Sequence, residues 1–201
     1  MNKGQLRAHL IALMNRSDLS NALADTFIDQ SLTRINRTLR IPPMEKQVEY
    51  NLNAATSFLT LPNDFLEVID VYQGDKVLDR ITMREMIPLR EQGDAGPAQR
   101  FVRENAKILL HPTPSSGKVV LNYYAEIPQL TSDSDENFMT VIANDLVCYG
   151  ALCYAADYFI DERAPFFEQK YALYMAELQS QSDDAETAGT VIAMTPVATY
   201  E

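Results

Sequence analysis

The chain contains little of what most metal and nucleophile sites are built from. Its 201 residues include two cysteines, two histidines, seven glycines and no tryptophan. Cys148 and Cys153 lie on different faces of one predicted helix, so we expect two reduced, buried thiols rather than a disulfide, which fits a reducing compartment. His9 and His111 have no cysteine, histidine or carboxylate at metal-ligand spacing nearby. A zinc site or any other bound cofactor is therefore not expected.

Motifs for phosphate binding and for catalysis are equally sparse. The loop Gly93-Asp94-Ala95-Gly96-Pro97 lacks the lysine, the hydroxyl residue and the preceding buried strand of a phosphate-binding loop. Asp157, Asp161 and Glu162 could share acid/base chemistry, which leaves a small acidic hydrolase as an alternative. We favour a structural role, because Asp161 is placed to cap the helix that begins near Arg163.

Positive charge is also scarce. The sequence has 17 Lys and Arg against 28 Asp and Glu, a formal net charge of -11. An acidic protein gains little from counterion release, so tight binding to DNA or RNA is not expected. No apolar run reaches the ~20 residues of a membrane span, and the first residues lack the apolar run of a signal peptide. We expect a protein made in the cytoplasm with no membrane partner.

Hydrophobic periodicity predicts an α+β fold. Helices are predicted over 3–40 and 138–182, and strands over 44–126. The links between strands are too short for parallel crossovers, so we expect a small antiparallel meander inserted into a helical bundle of two N-terminal and two C-terminal helices. We predict one domain over 1–182 and an extended C-terminal tail over 183–201.

One predicted helix, from Asn144 to Phe159, is apolar on nearly every side. Such a helix must be buried on each face, either within its own chain or against another subunit. Gly150 and several alanines would allow its neighbours to pack closely. We predict that the core spine of the fold consists of Leu146, Leu152, Phe159, Phe167 and Tyr171.

Two surfaces are predicted to contact other proteins. The second helix carries Arg34, Arg37 and Arg40, which either contact a neighbouring subunit's carboxylates or are ordinary solvated charges. The tail has no helical period but keeps many apolar residues, so we expect it to become ordered on a partner; a frayed terminus is the alternative. The apolar tail residues assigned to this contact are Val191, Ile192, Met194, Val197 and Tyr200.

The order and spacing of several segments resemble a known family. These segments begin with Arg34-Ile35-Asn36-Arg37-Thr38-Leu39-Arg40 and Leu61-Pro62-Asn63-Asp64-Phe65-Leu66-Glu67. They continue with Leu109-Leu110-His111-Pro112-Thr113-Pro114 and Val120-Leu121-Asn122-Tyr123-Tyr124, and end with Asn144-Asp145-Leu146-Val147-Cys148-Tyr149-Gly150-Ala151-Leu152. Together they resemble the head-tail adaptor (connector, head completion) proteins of tailed phages, over about residues 20 to 180.

This resemblance implies a structural, non-enzymatic virion protein, assembled in the host cytoplasm and located at the capsid–tail junction. Such adaptors form a ring, commonly of twelve subunits, beneath the portal protein. They present a docking surface to a tail or nozzle protein, and DNA passes through the lumen without being read. The apolar tail would then contact the portal. The rival interpretations are the acidic hydrolase and a monomeric regulatory binding module.

Overall fold

The computed structural model describes residues 1–53 and 58–187 and gives them the α+β architecture expected from the sequence. The chain divides into two compact units. The helical unit comprises Met1–Ile41 and the described residues from Gln129 onward, and the sheet unit comprises Pro42–Pro128. The described helices are α1 (Lys3–Met14), α2 (Asn21–Thr38), α3 (Met83–Gln92), α4 (Phe138–Ile142), α5 (Asn144–Phe159) and α6 (Ala164–Thr187), with α3 in the sheet unit.

The helical unit is built around α5. This helix has nine buried residues distributed over all its sides, and α1, α2 and α6 pack against it. Helix α2 approaches it closely at Gly150, where the Ser31 hydroxyl donates a hydrogen bond to the Val147 carbonyl at 2.9 Å. Ser31 is fully buried, so this hydrogen bond satisfies a polar group inside the packed interface.

The end of α6 differs from the expectation. The sequence predicted that the helix ends at residue 182, whereas α6 continues to Thr187. The acidic segment after residue 182 contains Ala185 and Glu186, two good helix formers, and it extends a helix that is already nucleated and anchored by its packing on α5. Among the described residues, no helix is long and apolar enough to cross a membrane.

The sheet unit is not the predicted meander. Its described strands are β1 (Glu45–Leu52), β2 (Phe58–Thr60), β3 (Phe65–Gln73), β4 (Lys76–Val77), β5 (Asp79–Arg80), β6 (Arg100–Glu104), β7 (Lys107–His111) and β8 (Gly117–Ala125). They form two four-stranded sheets with the orders β1-β8-β3-β4 and β2-β7-β6-β5. The last strand therefore lies between the first and the third, and β5 pairs with β6 in parallel.

The two sheets share one hydrophobic core. Alternate residues of β8, including Val119, Leu121 and Tyr123, face the same cluster as Ile108 and Leu110 of β7, as expected when two sheets pack face to face. Helix α3 covers the opposite face of the second sheet, where its Met86 packs with Val102 of β6 and Leu109 of β7. The sheet unit is thus a sandwich with a helix on one side.

Candidate interaction surfaces

The residues with reactive side chains do not converge on a site in the described part of the chain. No group of three His, Cys, Asp or Glu in residues 1–53 and 58–187 could hold a metal ion. Cys148 and Cys153 are buried free thiols, and burial raises the pKa of each to about 12. Since the thiolate is the nucleophilic form, neither cysteine is activated at neutral pH. His111 is buried, with its Nε2 3.9 Å from a carboxylate oxygen of Asp94.

Asp161, one of the three carboxylates considered for hydrolysis, has a structural role at the turn between α5 and α6. Asp161 accepts hydrogen bonds from the Arg163 side chain at 2.7 Å and from the Arg163 backbone N–H at 2.9 Å. These bonds hold the pKa of Asp161 at about 2, so it cannot act as a proton donor at neutral pH. Arg163 also donates to the carbonyls of Leu13 and Met14 at 3.3 and 3.0 Å. The pair therefore attaches this turn to the end of α1.

Arg34 makes its contacts within the chain. Its guanidinium donates two hydrogen bonds to the Glu168 carboxylate, at 2.9 and 2.8 Å, and it lies 4.1 Å from the centre of the Tyr171 ring. The bidentate pair raises the pKa of Arg34 and lowers the pKa of Glu168. A guanidinium that is paired and stacked in this way joins α2 to α6.

Arg40 and Arg37 occupy different environments. Arg40 lies beyond the end of α2, and its guanidinium donates to the carbonyls of Asn36 and Leu39 at 3.0 and 2.6 Å. Arg37 is exposed on the outer side of α2. It lines a shallow polar groove together with Thr26, Asp29, Gln30, Thr33 and Tyr154.

The predicted spine residues are placed mostly in the interior. Leu146 and Leu152 are fully buried, and Phe167 and Tyr171 are 5% exposed. Phe159 is only half-buried, because it lies at the open end of α5, where the Arg16 guanidinium covers its ring at 4.3 Å. The hydroxyl of Tyr171 is buried without a hydrogen-bond partner among the described residues.

Large apolar side chains are exposed where α5 turns into α6. Tyr158 is 61% exposed, Ile160 91% and Phe166 50%. Ile160 has a φ of 53°, a left-handed conformation that is a genuine outlier for a β-branched residue. Backbone strain of this kind gathers at functional positions, and exposed apolar clusters mark interaction sites.

The exposure of this turn was not predicted from the sequence. The apolar run predicts burial on nearly every side of α5, whereas the buried residues cover its first three turns and stop after Ala156. The signal in the sequence was the run Asp157-Tyr158-Phe159-Ile160-Asp161, in which two aspartates flank three large apolar residues. The predicted portal-contact residues Val191, Ile192, Met194, Val197 and Tyr200 lie outside the described residues.

The exposed apolar side chains at the turn between α5 and α6 are the feature of the described residues that marks a protein interaction site. A model of the SU10 adaptor protein family matches residues 1–197. The chain belongs to this family of phage head-tail adaptors and is a structural component of the virion, so the resemblance noted in the sequence is confirmed. No curated protein matches the chain.

Proposed function

We propose that the protein is the head-to-tail adaptor of a tailed phage. Twelve copies form a ring at the capsid–tail junction, with the portal protein on one side and a tail or nozzle protein on the other. The ring is assembled in the host cytoplasm. It gives the tail an attachment surface and leaves a lumen for the DNA.

The observation that carries this proposal is the family match over residues 1–197. The exposed side chains of Tyr158, Ile160 and Phe166 support it. Large apolar groups that a monomer leaves in water gain free energy when a second protein covers them, at about 25 cal/mol per Å². A ring of identical subunits covers such groups without requiring a different partner for each copy.

The charge of the protein suits a channel that releases DNA. With a formal net charge of -11 per chain, the ring has no excess of cations with which to hold phosphates, and negative charge near the lumen repels the duplex. DNA then passes without sequence-specific binding. Adhesion to the duplex would instead require the basic stripe of a nucleic-acid-binding protein.

Electron microscopy tests the proposal directly. The purified protein is imaged in negative stain alone and after mixing with the portal protein of the same phage, and its mass is measured in parallel. We expect rings, either alone or on the portal. A protein that remains monomeric in both samples contradicts the proposal.

The tail assignment needs its own experiment. We propose that Val191, Ile192 and Met194, with Val197 and Tyr200, contact the portal. A chain ending at Thr187, the last described residue of α6, should lose portal binding. A full-length variant with Val191, Ile192 and Met194 replaced by serine keeps the tail length and should also lose it. Unchanged portal binding by both variants removes the tail from the interface.

A further inference from the structure

Arg37 differs from every other arginine of the helical unit. Each of the others has a hydrogen-bonding partner within the chain, whereas Arg37 is exposed and has none among the described residues. A cation that the fold does not use is available to another molecule. The arginines with partners are Arg7 with Asp25 and Asp133, Arg16 with Asp18, Arg34 with Glu168, Arg40 with backbone carbonyls, and Arg163 with Asp161.

We call the surface around Arg37 the α2 face. It consists of Thr26, Asp29, Gln30, Thr33 and Arg37 on the outer side of α2, with Tyr154 and Tyr158 beside them on α5. Asp29 places a negative charge on this face eight residues before Arg37. The Tyr158 ring packs on the ring of Phe27 with centroids 5.8 Å apart, yet 61% of the residue is exposed. This face therefore has an exposed aromatic ring near the start of α2 and a positive charge near its end.

The opposite charge lies on α6. Phe166, Lys170, Leu173 and Glu177 are spaced by four, three and four residues, so they form one stripe along the helix, which we call the α6 face. The Lys170 ammonium lies 5.9 Å from the centre of the Phe166 ring, so the start of this face also carries a positive charge. Phe166 is 50% exposed and Leu173 46%, and Glu177 is exposed with no partner among the described residues. The α6 face therefore has apolar side chains near the start of α6 and a negative charge further along.

The two faces point to different sides of the helical unit. Glu168 faces α2, because it binds Arg34. Glu177 lies nine residues further along α6, which at 3.6 residues per turn is half a turn around the helix from Glu168. The α6 face therefore points away from α2, while the α2 face lies on the outer side of α2, opposite its buried residues Ile28 and Ile35.

The complementary groups also lie at matching heights. The contacts Arg34–Glu168 and Arg40–Gln179 show that α2 and α6 run in parallel. Arg37 lies midway between the two arginines, so at a 1.5 Å rise per residue it is level with the turn of α6 that carries Leu173 and Glu177. Its side chain of four rotatable bonds spans the remaining distance to a carboxylate at that height.

Phe27 and Tyr158 complete the match at the other end. Phe27, on which the Tyr158 ring packs, lies ten residues before Arg37 along α2, and Phe166 lies eleven residues before Glu177 along α6. At a 1.5 Å rise per residue the apolar end of each face is therefore about 15 to 17 Å from its charged end. In a cyclic ring all subunits are related by rotation about one axis, so groups that meet across an interface must lie at equal height on two different faces. The α2 and α6 faces satisfy this requirement when the helices run along the ring axis.

We propose that the α2 face of one copy docks on the α6 face of the next, with Arg37 against Glu177 and Tyr158 against Phe166 and Leu173. This inference rests on the ring proposed above and names the surfaces that close it. The contact is head-to-tail, since two different faces of the same chain meet. The apolar groups supply burial, and the ion pair fixes the height at which neighbours engage.

Charge reversal tests the contact. The variants Arg37→Glu and Glu177→Arg each place like charges across the interface, and each should raise the protein concentration needed for half-maximal ring formation by about tenfold or more, since a like-charge contact costs on the order of 1.4 kcal/mol. The chain carrying both substitutions should recover to near wild-type assembly. Ring formation is measured by mass photometry and negative stain, with the portal added if wild-type rings require it.

Mixing the two single variants gives the sharpest result. In an alternating ring, the glutamate introduced at position 37 of one variant meets the arginine introduced at position 177 of the other, and the next interface pairs the unchanged Arg37 and Glu177. A one-to-one mixture of two defective variants should therefore form rings with an even number of subunits. The controls Arg84→Glu and Glu91→Arg make the same charge changes at exposed positions on α3 and should assemble normally.

The outcomes separate this inference from the proposed function. If wild-type protein forms rings and both single variants do so equally well, the contact is wrong and the ring stands. If the singles fail and neither the double variant nor the mixture recovers, the pairing of Arg37 with Glu177 is wrong. Circular dichroism of each variant establishes that it is folded. If wild-type protein forms no ring with or without the portal, the proposed function is wrong, and the contact that rests on it is wrong with it.

Discussion

Replacing Gly150 by alanine measures how closely α2 and α5 pack. A Cβ atom at this position would overlap the Ser31 hydroxyl oxygen and would lie 3.1 Å from a ring carbon of Tyr171 and 3.2 Å from the Ser31 Cβ. The surrounding residues are buried, so none of them can move into solvent. The added methyl group therefore has to push the helices apart or displace Ser31 from its hydrogen bond with Val147.

The expected loss of stability follows from three contributions. Alanine gains about 1 kcal/mol over glycine inside a helix. Overpacking a core position costs about 1–3 kcal/mol, and a buried hydroxyl without a partner costs about 1–3 kcal/mol more. Together these contributions lower the free energy of unfolding by about 1–5 kcal/mol, with about 3 kcal/mol as the central value. For a chain of this length the drop in Tm at the central value is roughly 6–12 °C.

Urea unfolding followed by far-ultraviolet circular dichroism measures the change, because this signal reports mainly on the helices. Ser31→Ala should cost about 1 kcal/mol through the lost hydrogen bond. In the double variant the hydroxyl is gone, so the combined loss should be at least about 1 kcal/mol smaller than the sum of the two. Gly4→Ala in α1 is the control for the substitution itself, because its Cβ would make a tight contact, 3.3 Å from the Asp133 carbonyl oxygen, but no overlap; it should cost less than Gly150→Ala. A Gly150→Ala protein as stable as wild type would refute the close-packing argument.

Three further changes test other parts of the helical unit. Ile160→Gly relieves a left-handed backbone at a 91% exposed residue, so the Tm should rise with a gain of up to about 1 kcal/mol; a lower Tm contradicts the strain. Glu168→Gln removes the charge that binds Arg34, and since both side chains are partly exposed urea unfolding should show a loss below about 1 kcal/mol. The Arg163 contact lowers the pKa of Asp161 from 3.8 to about 2, so its stabilisation is complete above pH 3.8 and is lost as the pH falls through about 2. With Asp161→Asn the Tm should fall less steeply between these pH values, while Asp18, Asp133 and Asp135, whose pKa values are also lowered by their partners, keep part of the slope; an unchanged slope would argue against this role.

The helices were predictable because their signals are local. The bounds expected for α5, Asn144 to Phe159, are those of the structure, since its apolar run is ended by a charged turn. The end of α6 was placed too early because an acidic, polar segment resembles a linker. Its helical state depends on the preceding turns of a helix that is already packed, and local composition does not report that.

Strand pairing was not predictable from the same information. Alternation along β1 and β8 indicates which residues share a face, but it does not name the neighbouring strand. Glu45 pairs with Tyr124 across almost the whole sheet unit, and the parallel pairing of Asp79 with Arg100 spans a helix and a loop. The meander was inferred from short links, yet a chain can cross from one sheet to the other at a short link.

The candidate surfaces were located only in part. Spacing placed Arg34 and Arg37 on the polar side of α2, but which of them is available depends on Glu168, a residue 134 positions away that binds Arg34. Arg40 was assigned to the same helix although α2 ends at Thr38. Glu177 gave no signal in the sequence because an acidic residue on a surface helix is common, and its significance comes from its height relative to Arg37.

In the proposed contact the apolar side chains supply the attraction and the ion pair sets the position, and the charge of the chain explains why. Subunits with a net charge of -11 repel one another, and at physiological salt this repulsion extends only about 8 Å. The attraction that closes the ring must therefore act at short range, which burial of Tyr158, Phe166 and Leu173 provides. A single ion pair contributes little energy at an exposed rim. Its value is positional, because a one-turn slip of α6 along the neighbour would separate Arg37 from Glu177 while leaving the apolar groups in partial contact.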